Sequence, residues 1–208
     1  MKLILKIDGT TASGGSPLVM HNERLADPLD ACTRALAAIS KKRNKTEADH
    51  QEMARIEFIG GMYSDPPMST PADWTNGHKP CLPAWNILRC LQDGATRHKR
   101  GKDVLRGVYP LAECGLLGFD GADLKINELW VAGAYALRKT VGVQRARTVR
   151  TRPMFTDWTC ELPIEVDSTV FDVDTLRQCW RDAGIYSGLG EMRPVYGRFT
   201  GTIEEVEA

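Results

Sequence analysis

The stretch CELPIEVDSTVFDVDTLRQCWRDAGIYSGLGEMRPVYGRF, at residues 160–199, decides the fold of this chain. Residues 160–167 alternate apolar and polar side chains, which is the pattern of a half-buried β-strand. Residues 173–183 carry apolar side chains at helical spacing, and Gly184 stands at the C′ position of that helix. A final strand is predicted over residues 195–206. The chain therefore ends strand–helix–strand, with a glycine-rich loop before the last strand.

The glycine-rich loop at residues 184–199 combines four glycines with two arginines and two tyrosines. Glycine adopts positive φ and lets a ligand approach the backbone closely. Arginine carries a permanent charge on a planar fork that fits phosphate. One interpretation is that the loop forms a surface that binds a polyanion. The other is a tight turn between two elements, with arginines that are merely solvated.

The N-terminal half is predicted to begin with a strand at residues 2–8, whose residues alternate between a buried and a polar face. A helix is predicted over residues 27–40, with Asp27 as its N-cap and Pro28 at its first position. A second helix follows, with Thr46 as its N-cap and with Gly60-Gly61 at its end.

A third helix is predicted over residues 83–98, with an apolar stripe that consists of Trp85, Leu88 and Leu91. Residues 64–83 are interpreted as a surface loop, residues 104–119 as strands with turns, and residues 124–149 as holding strand-like apolar runs. The helix at residues 173–183 is expected to have Asp172 or Asp174 as its N-cap.

The order of these elements predicts an α+β fold. The first strand, one inserted helix and the strand–helix–strand ending are able to close a β-α-β-β-α-β ferredoxin-like sheet. We expect a single RRM-like domain over residues 1–208, built on an antiparallel sheet, with an inserted and mostly helical subdomain at about residues 20–103 after the first strand.

Composition excludes several classes of protein. The 208 residues are 42% hydrophobic and have a formal net charge of zero, which suits a packed domain. The apolar run at the N-terminus is too short for a secretory signal, and no stretch is long enough to span a membrane. Six scattered cysteines without a CxxC pair predict free thiols in a reducing cytoplasm. We predict no metal and no cofactor.

Basic residues are segregated along the chain. Residues 129–156 contain six basic side chains and no acidic one, and residues 41–45 and 97–102 form two further basic clusters. If the first segment is a strand, Arg145 and Arg147 point to one of its faces, and Arg150 and Arg152 point to the other. Arginine with stacking aromatic rings is what single-stranded nucleic acid requires. The predicted phosphate contacts are Arg145, Arg147, Arg150, Arg152, Arg193, Arg198, Lys41, Lys42, Arg43, Arg97, Lys99 and Arg100, and the predicted stacking residues are Tyr186 and Tyr196.

Catalytic patterns are sparse. The four histidines show no HxH or HExxH spacing, and the chain contains neither GxSxG nor a P-loop. His21 lies in the segment VMHNERLADP, where general acid–base cleavage of RNA is conceivable. A surface turn explains the same segment. We therefore name no catalytic residue and predict a protein that is not an enzyme.

The segment GLGEMRPVYGRF, before a final strand that opens with an aromatic residue, resembles the glycine-rich loop of the RAMP superfamily. These RRM-like proteins include backbone subunits and processing proteins of CRISPR effector complexes. The first strand followed by PLVMH and the helical insertion are similar to that arrangement. The segments RTRPMFTDW and GLGEMRPVYGRF together also look like a group of bacteriophage proteins. The resemblance covers the terminal thirds of the chain.

The resemblance implies a scaffold that binds nucleic acid and polymerises along it, as the backbone subunits do on a guide RNA. The leading hypothesis is thus a non-enzymatic binder of single-stranded RNA or DNA that forms homo-oligomers or joins a nucleoprotein complex. We expect it in the cytoplasm, and in the bacterial host cytoplasm if a phage encodes it. One alternative is a metal-independent ribonuclease, and the other is a phage protein that inserts into or inhibits a host nucleoprotein complex.

Overall fold

A computed structural model of the protein describes residues 1–68, 77–143 and 146–206. Strands and helices are interspersed along these ranges. The strands are β1 (Lys2–Asp8), β2 (Leu18–Val19), β3 (Ser64–Asp65), β4 (Lys79–Pro83), β5 (Val108–Pro110), β6 (Cys114–Phe119), β7 (Ala136–Val143), β8 (Ala146–Phe155), β9 (Trp158–Val166) and β10 (Thr200–Glu205). The α-helices are α1 (Ala31–Ser40), α2 (Glu47–Gly60), α3 (Ala84–Thr96), α4 (Gly101–Gly107), α5 (Ile126–Ala132) and α6 (Val173–Asp182).

The chain divides into two compact units. Unit 1 consists of Met1–Leu18, Cys81–Ala122 and Phe155–Ala208, and unit 2 consists of Val19–Pro80 and Asp123–Met154. The insertion predicted at residues 20–103 is therefore shared between them: residues 20–80 lie in unit 2, and residues 81–103, with α3 and the start of α4, lie in unit 1.

Unit 1 is built on an antiparallel sheet in the order β10-β1-β9-β6, with the end of β4 beside β6 and with β5 beside β9. The side chains of Leu3, Leu5, Leu162 and Ile164 point to one face of the sheet and are completely buried. On this face Trp180 of α6 donates its indole N–H to the carbonyl of Lys6 at 3.1 Å. On the opposite face of the sheet, Glu161 and Glu165 of β9 are exposed, while Ile4 and Lys6 of β1 are half-buried.

Helix α3 packs closely on α6. A side chain at Gly94 would place its Cβ 2.4 Å from the carbonyl oxygen of Cys179 and 2.7 Å from Ala183. Because real Cβ atoms do not approach so closely, glycine is required at this crossing. The buried face of α3 runs through Ile87 and Leu91 to Gly94, and Trp85 lies outside it.

Unit 2 contains α1, α2, α5 and the antiparallel ribbon of β7 and β8. Phe58 of α2 contacts Trp130 of α5, with ring centroids 5.5 Å apart. Glu57, on the same helix, is buried and forms an ion pair with Arg150 of β8. The other oxygen of this carboxylate accepts the backbone N–H of Thr151 at 2.8 Å. These contacts fix the ribbon to α2.

Several predictions of local structure are confirmed. The α+β class is correct, and strands form at residues 2–8 and 158–166. Thr46 is the N-cap of α2, where it forms a capping box with Asp49. Asp172, one of the two predicted alternatives, is the N-cap of α6. These elements have strong local signals, either an alternating pattern or a capping side chain.

Other predictions of local structure are wrong. Helix α1 begins after Asp30, whose side chain accepts the N–H of Cys32, so Asp27 is not its N-cap. Residues 104–107 belong to helix α4 where strands were expected over residues 104–119, and residues 126–132 form α5 where a strand-like run was expected. The last strand begins at Thr200, because residues 188–199 belong to the glycine-rich loop. Residues 64–83, expected as a loop, include β3 and β4.

Within the described ranges, no helix is both long and apolar enough to cross a bilayer. Over the same residues, no group of three or more His, Cys, Asp or Glu side chains is arranged to hold a metal ion. All six cysteines stand outside disulfides, and Cys114 alone among them is not fully buried.

Candidate nucleic-acid interface

The glycine-rich loop leaves α6 through a π-helical turn, Ala183–Ser187, and folds back on itself. Gly188, Gly190 and Gly197 all have positive φ. Leu189 donates its N–H to the carbonyl of Gly197 at 2.8 Å. A Cβ at Gly197 would lie 1.7 Å from the carbonyl oxygen of Leu189. The fold of the loop itself thus requires glycine at this position, as the tight-turn interpretation expects.

Helix α3 holds the loop in place. The thiol of Cys90 is 3.2 Å from the carbonyl oxygen of Gly188, to which it donates. Burial raises the pKa of this thiol to about 12, so it stays protonated and remains a donor. Arg193 of the loop extends toward α3, and its Nη1 lies 3.8 Å from Oδ2 of Asp93. The loop and the helix therefore present side chains to one surface.

The outer face of α3 supplies the rest of that surface. Trp85, Arg89 and Asp93 are spaced four residues apart, which aligns them along one side of a helix. Nε of Arg89 lies 3.2 Å from Oδ1 of Asp93. Asp93 therefore stands between two guanidinium groups, those of Arg89 and Arg193, and Glu191 of the loop lines the same pocket.

A stacked pair completes the surface at the C-terminal end of α3. The guanidinium carbon of Arg97 lies 3.9 Å from the ring centroid of Tyr186, and the tyrosine is 52% exposed. Nε of Arg97 is 3.8 Å from Oδ2 of Asp182, which also meets Nε2 of His98 at 2.9 Å. We call Arg89, Asp93, Arg97, Tyr186 and Arg193 the α3–loop surface.

Four other predicted residues of unit 1 have structural or peripheral positions. Arg100 forms an ion pair with Asp103 and donates to the carbonyl of Val170 at 2.8 Å. Lys99 is exposed. Arg198 is also exposed, and its backbone N–H donates to Ser16 at 2.9 Å. Tyr196 is half-buried, so Tyr186 is the more accessible of the two predicted stacking residues.

The predicted arginines of unit 2 are divided by the two faces of the β7–β8 ribbon. Arg150 is on the face that meets Glu57, and Arg152, on the same parity, is buried. Arg147 is on the other face, which it shares with Arg138, and both are exposed. Arg145 lies outside the described residues.

The lysine-rich cluster between α1 and α2 is partly engaged in structure. Nζ of Lys42 lies 2.6 Å from Oδ1 of Asp49. The hydrogen bond from Lys42, together with those from Thr46, lowers the pKa of Asp49 to about 2. Lys41 and Arg43 are exposed.

The exposed face of the unit 1 sheet is acidic. Glu161 and Glu165 of β9 and Glu204 of β10 point to it. Lys6 of β1 contacts two of them, Glu204 at 2.8 Å and Glu161 at 3.4 Å. The hydrogen bond to Glu204 is the largest cause of a raised pKa of Lys6. Carboxylates thus outnumber cations around the middle of this face.

His21, the residue considered for RNA cleavage, is exposed in unit 2. Arg89 and Asp93 were not predicted as site residues, and Trp85 was expected in the apolar stripe of α3. The signal for the correct face was available, because the small residues Gly94 and Ala95 continue the line of Ile87 and Leu91.

No protein-family model matches the chain, and no curated protein matches it significantly.

Proposed function

We propose that this chain is a non-enzymatic protein that binds single-stranded nucleic acid through the α3–loop surface. The observation that carries the proposal is the stack of Arg97 on the exposed ring of Tyr186, beside Arg193. Bases stack on aromatic and guanidinium planes, while phosphates need fixed positive charge. The stack offers both on a single surface, and Arg89 and Arg193 extend the charge along α3.

Electrostatics favours this surface over the exposed face of the sheet. RRM-like proteins place aromatic side chains on the sheet to stack bases. Here β9 presents Glu161 and Glu165 on that face, and the edge strand β10 presents Glu204. A polyanion is repelled by such a face, since the three carboxylates outnumber Lys2 and Lys6, the lysines that β1 presents there. The nucleic-acid strand is therefore proposed to lie on the helical side of unit 1.

The core of unit 1 is proposed to be ferredoxin-like and related to the RAMP superfamily. Two features support this. The strand order β10-β1-β9-β6 is antiparallel throughout, and α3 and α6 occupy the two helix positions of a β-α-β-β-α-β unit. The glycine-rich loop falls between the second helix and the last strand, where the resemblance expects it.

Copies of the protein are proposed to assemble side by side along the strand, as CRISPR backbone subunits do. Helix α3 has 13 residues, so it is about 20 Å long and spans few nucleotides. A contact this short gains affinity when neighbouring copies bind the same strand.

A salt titration tests the proposal. Binding of the purified protein to fluorescently labelled single-stranded RNA and DNA is measured by anisotropy at increasing salt concentrations. Each phosphate contact contributes about −0.7 to the slope of log K against log salt, so contacts by Arg89, Arg97 and Arg193 predict a slope of about −2 or steeper. Absence of binding to every single strand at low salt would refute the proposed function.

A further inference from the structure

An open cleft lies at the N-terminal end of α3 and is not part of the α3–loop surface. Its volume is about 590 Å³, and it is lined by Ala84, Trp85, Pro110, Leu111, Ala112 and Glu113. The N–H of Ala84 donates to the carbonyl of Glu113 at 2.8 Å, which fixes the start of the helix against the turn between β5 and β6. The indole of Trp85 is 51% exposed.

The chemistry of the cleft suits a nucleobase. An exposed indole offers a flat apolar plane on which any base stacks. Glu113, exposed at the same cleft, is an acceptor of hydrogen bonds when ionised. Cytosine presents an exocyclic amino group that a carboxylate accepts. Thymine and uracil present a carbonyl oxygen at that position instead, which a carboxylate repels.

A cation for the phosphate of the same nucleotide lies one helical turn away. Arg89 follows Trp85 by four residues on α3, and its side chain is 65% exposed. From there the α3–loop surface continues toward Arg193 and Arg97. A base in the cleft would therefore belong to a strand whose backbone runs along α3.

We propose that the cleft is a base-binding subsite, in which Trp85 stacks on the base and Glu113 accepts a hydrogen bond from its exocyclic amino group. The inference rests on the proposed function and adds two properties to it: a position for a base and a preference for cytosine over thymine or uracil. Neither Trp85 nor Glu113 contributes to the core of the unit, so both are open to substitution.

The test compares three probes of equal length: oligo-dC, oligo-dT and a strand of abasic sites that retains the phosphates. The wild-type protein is expected to bind oligo-dC most tightly and the abasic strand least tightly. Trp85→Ala should weaken binding of oligo-dC roughly 5- to 150-fold, the range for loss of one stacked base, and leave binding of the abasic strand unchanged. Trp85→Phe should restore most of the loss.

Glu113→Gln separates base preference from stacking, because an amide both donates and accepts. The affinities of this variant for oligo-dT and oligo-dC should differ less than those of the wild-type protein. The subsite is refuted if Trp85→Ala binds oligo-dC with wild-type affinity, or if it loses the same factor on all three probes. In both cases the proposed function is still supported if the wild-type protein binds the probes with a steep salt dependence. If the wild type binds none of the probes at low salt, both proposals fail.

Discussion

Replacing Gly197 by alanine is expected to destabilise the protein much more than replacing Gly14, although both glycines have left-handed backbones. Their φ angles are nearly equal, 74° for Gly197 and 80° for Gly14. The surroundings differ. A Cβ at Gly14 meets nothing within 4 Å, whereas one at Gly197 would lie 1.7 Å from the carbonyl oxygen of Leu189. The pair therefore separates backbone conformation from steric conflict.

The expected magnitudes follow from these two contributions. Alanine in the left-handed region costs about 1–2 kcal/mol, which is the full expected effect of Gly14→Ala. In Gly197→Ala the loop must also open, and the hydrogen bond from Leu189 to Gly197, 2.8 Å long, is lost. A buried backbone group left without a partner costs about 1–3 kcal/mol more. The total for Gly197→Ala is thus about 2–5 kcal/mol.

Urea unfolding followed by far-ultraviolet circular dichroism measures both variants against the wild type. Equal losses of unfolding free energy, within about 0.5 kcal/mol, would refute the steric argument. Binding measured on the same samples adds a second distinction. If Gly197→Ala is no less stable than Gly14→Ala and yet fails to bind nucleic acid, the glycine serves the approach of a ligand rather than the fold of the loop.

Other predictions concern the ribbon and the buried thiols. Glu57→Gln should lower the free energy of unfolding by about 1–3 kcal/mol in urea, because it removes the charged partner of Arg150 and weakens the acceptor of a buried N–H; an unchanged midpoint would contradict the pairing. Cys90 and Cys160, whose pKa values burial raises to about 12, should resist iodoacetamide in the folded chain and react after unfolding, as mass spectrometry would detect. Their ordinary pKa is 9.0, so they ionise first in the unfolded chain. The protonated thiols therefore contribute fully to stability below pH 9, and this contribution is lost as the pH rises toward 12. A urea midpoint that stays constant when the pH is raised above 9 would contradict this.

The sequence predicts those elements of the fold whose signals are local. Strand β9 alternates strictly between buried and exposed side chains, and helices α2 and α6 begin at capping residues. Helix α5 was not predicted, since a short apolar run such as residues 129–131 fits a strand and a buried helix equally well. Its end is marked by Gly133, which has a φ of 73°.

Some residues of the candidate site were predicted, but their arrangement in space was not. Tyr186 and Arg193 were identified because arginine, tyrosine and glycine cluster in the loop, and Arg97 because it belongs to the basic cluster at residues 97–102. The partnership of Arg97 with Tyr186 was not predictable, since it depends on how α3 packs against α6 through Gly94. Trp85 was assigned to the apolar stripe of the helix because of its spacing from Leu88 and Leu91. Tertiary packing instead turns it outward.

The salt dependence of an Arg97→Gln, Arg193→Gln double variant tests the central claim most directly. Each lost phosphate contact should reduce the slope of log K against log salt by about 0.7 on a single strand, so the double variant should lose about 1.4. Arg34→Gln, an exposed substitution on α1, serves as the matched control and should keep the wild-type slope. A double variant that binds single strands with the wild-type affinity and slope would contradict the claim that nucleic acid lies on the α3–loop surface.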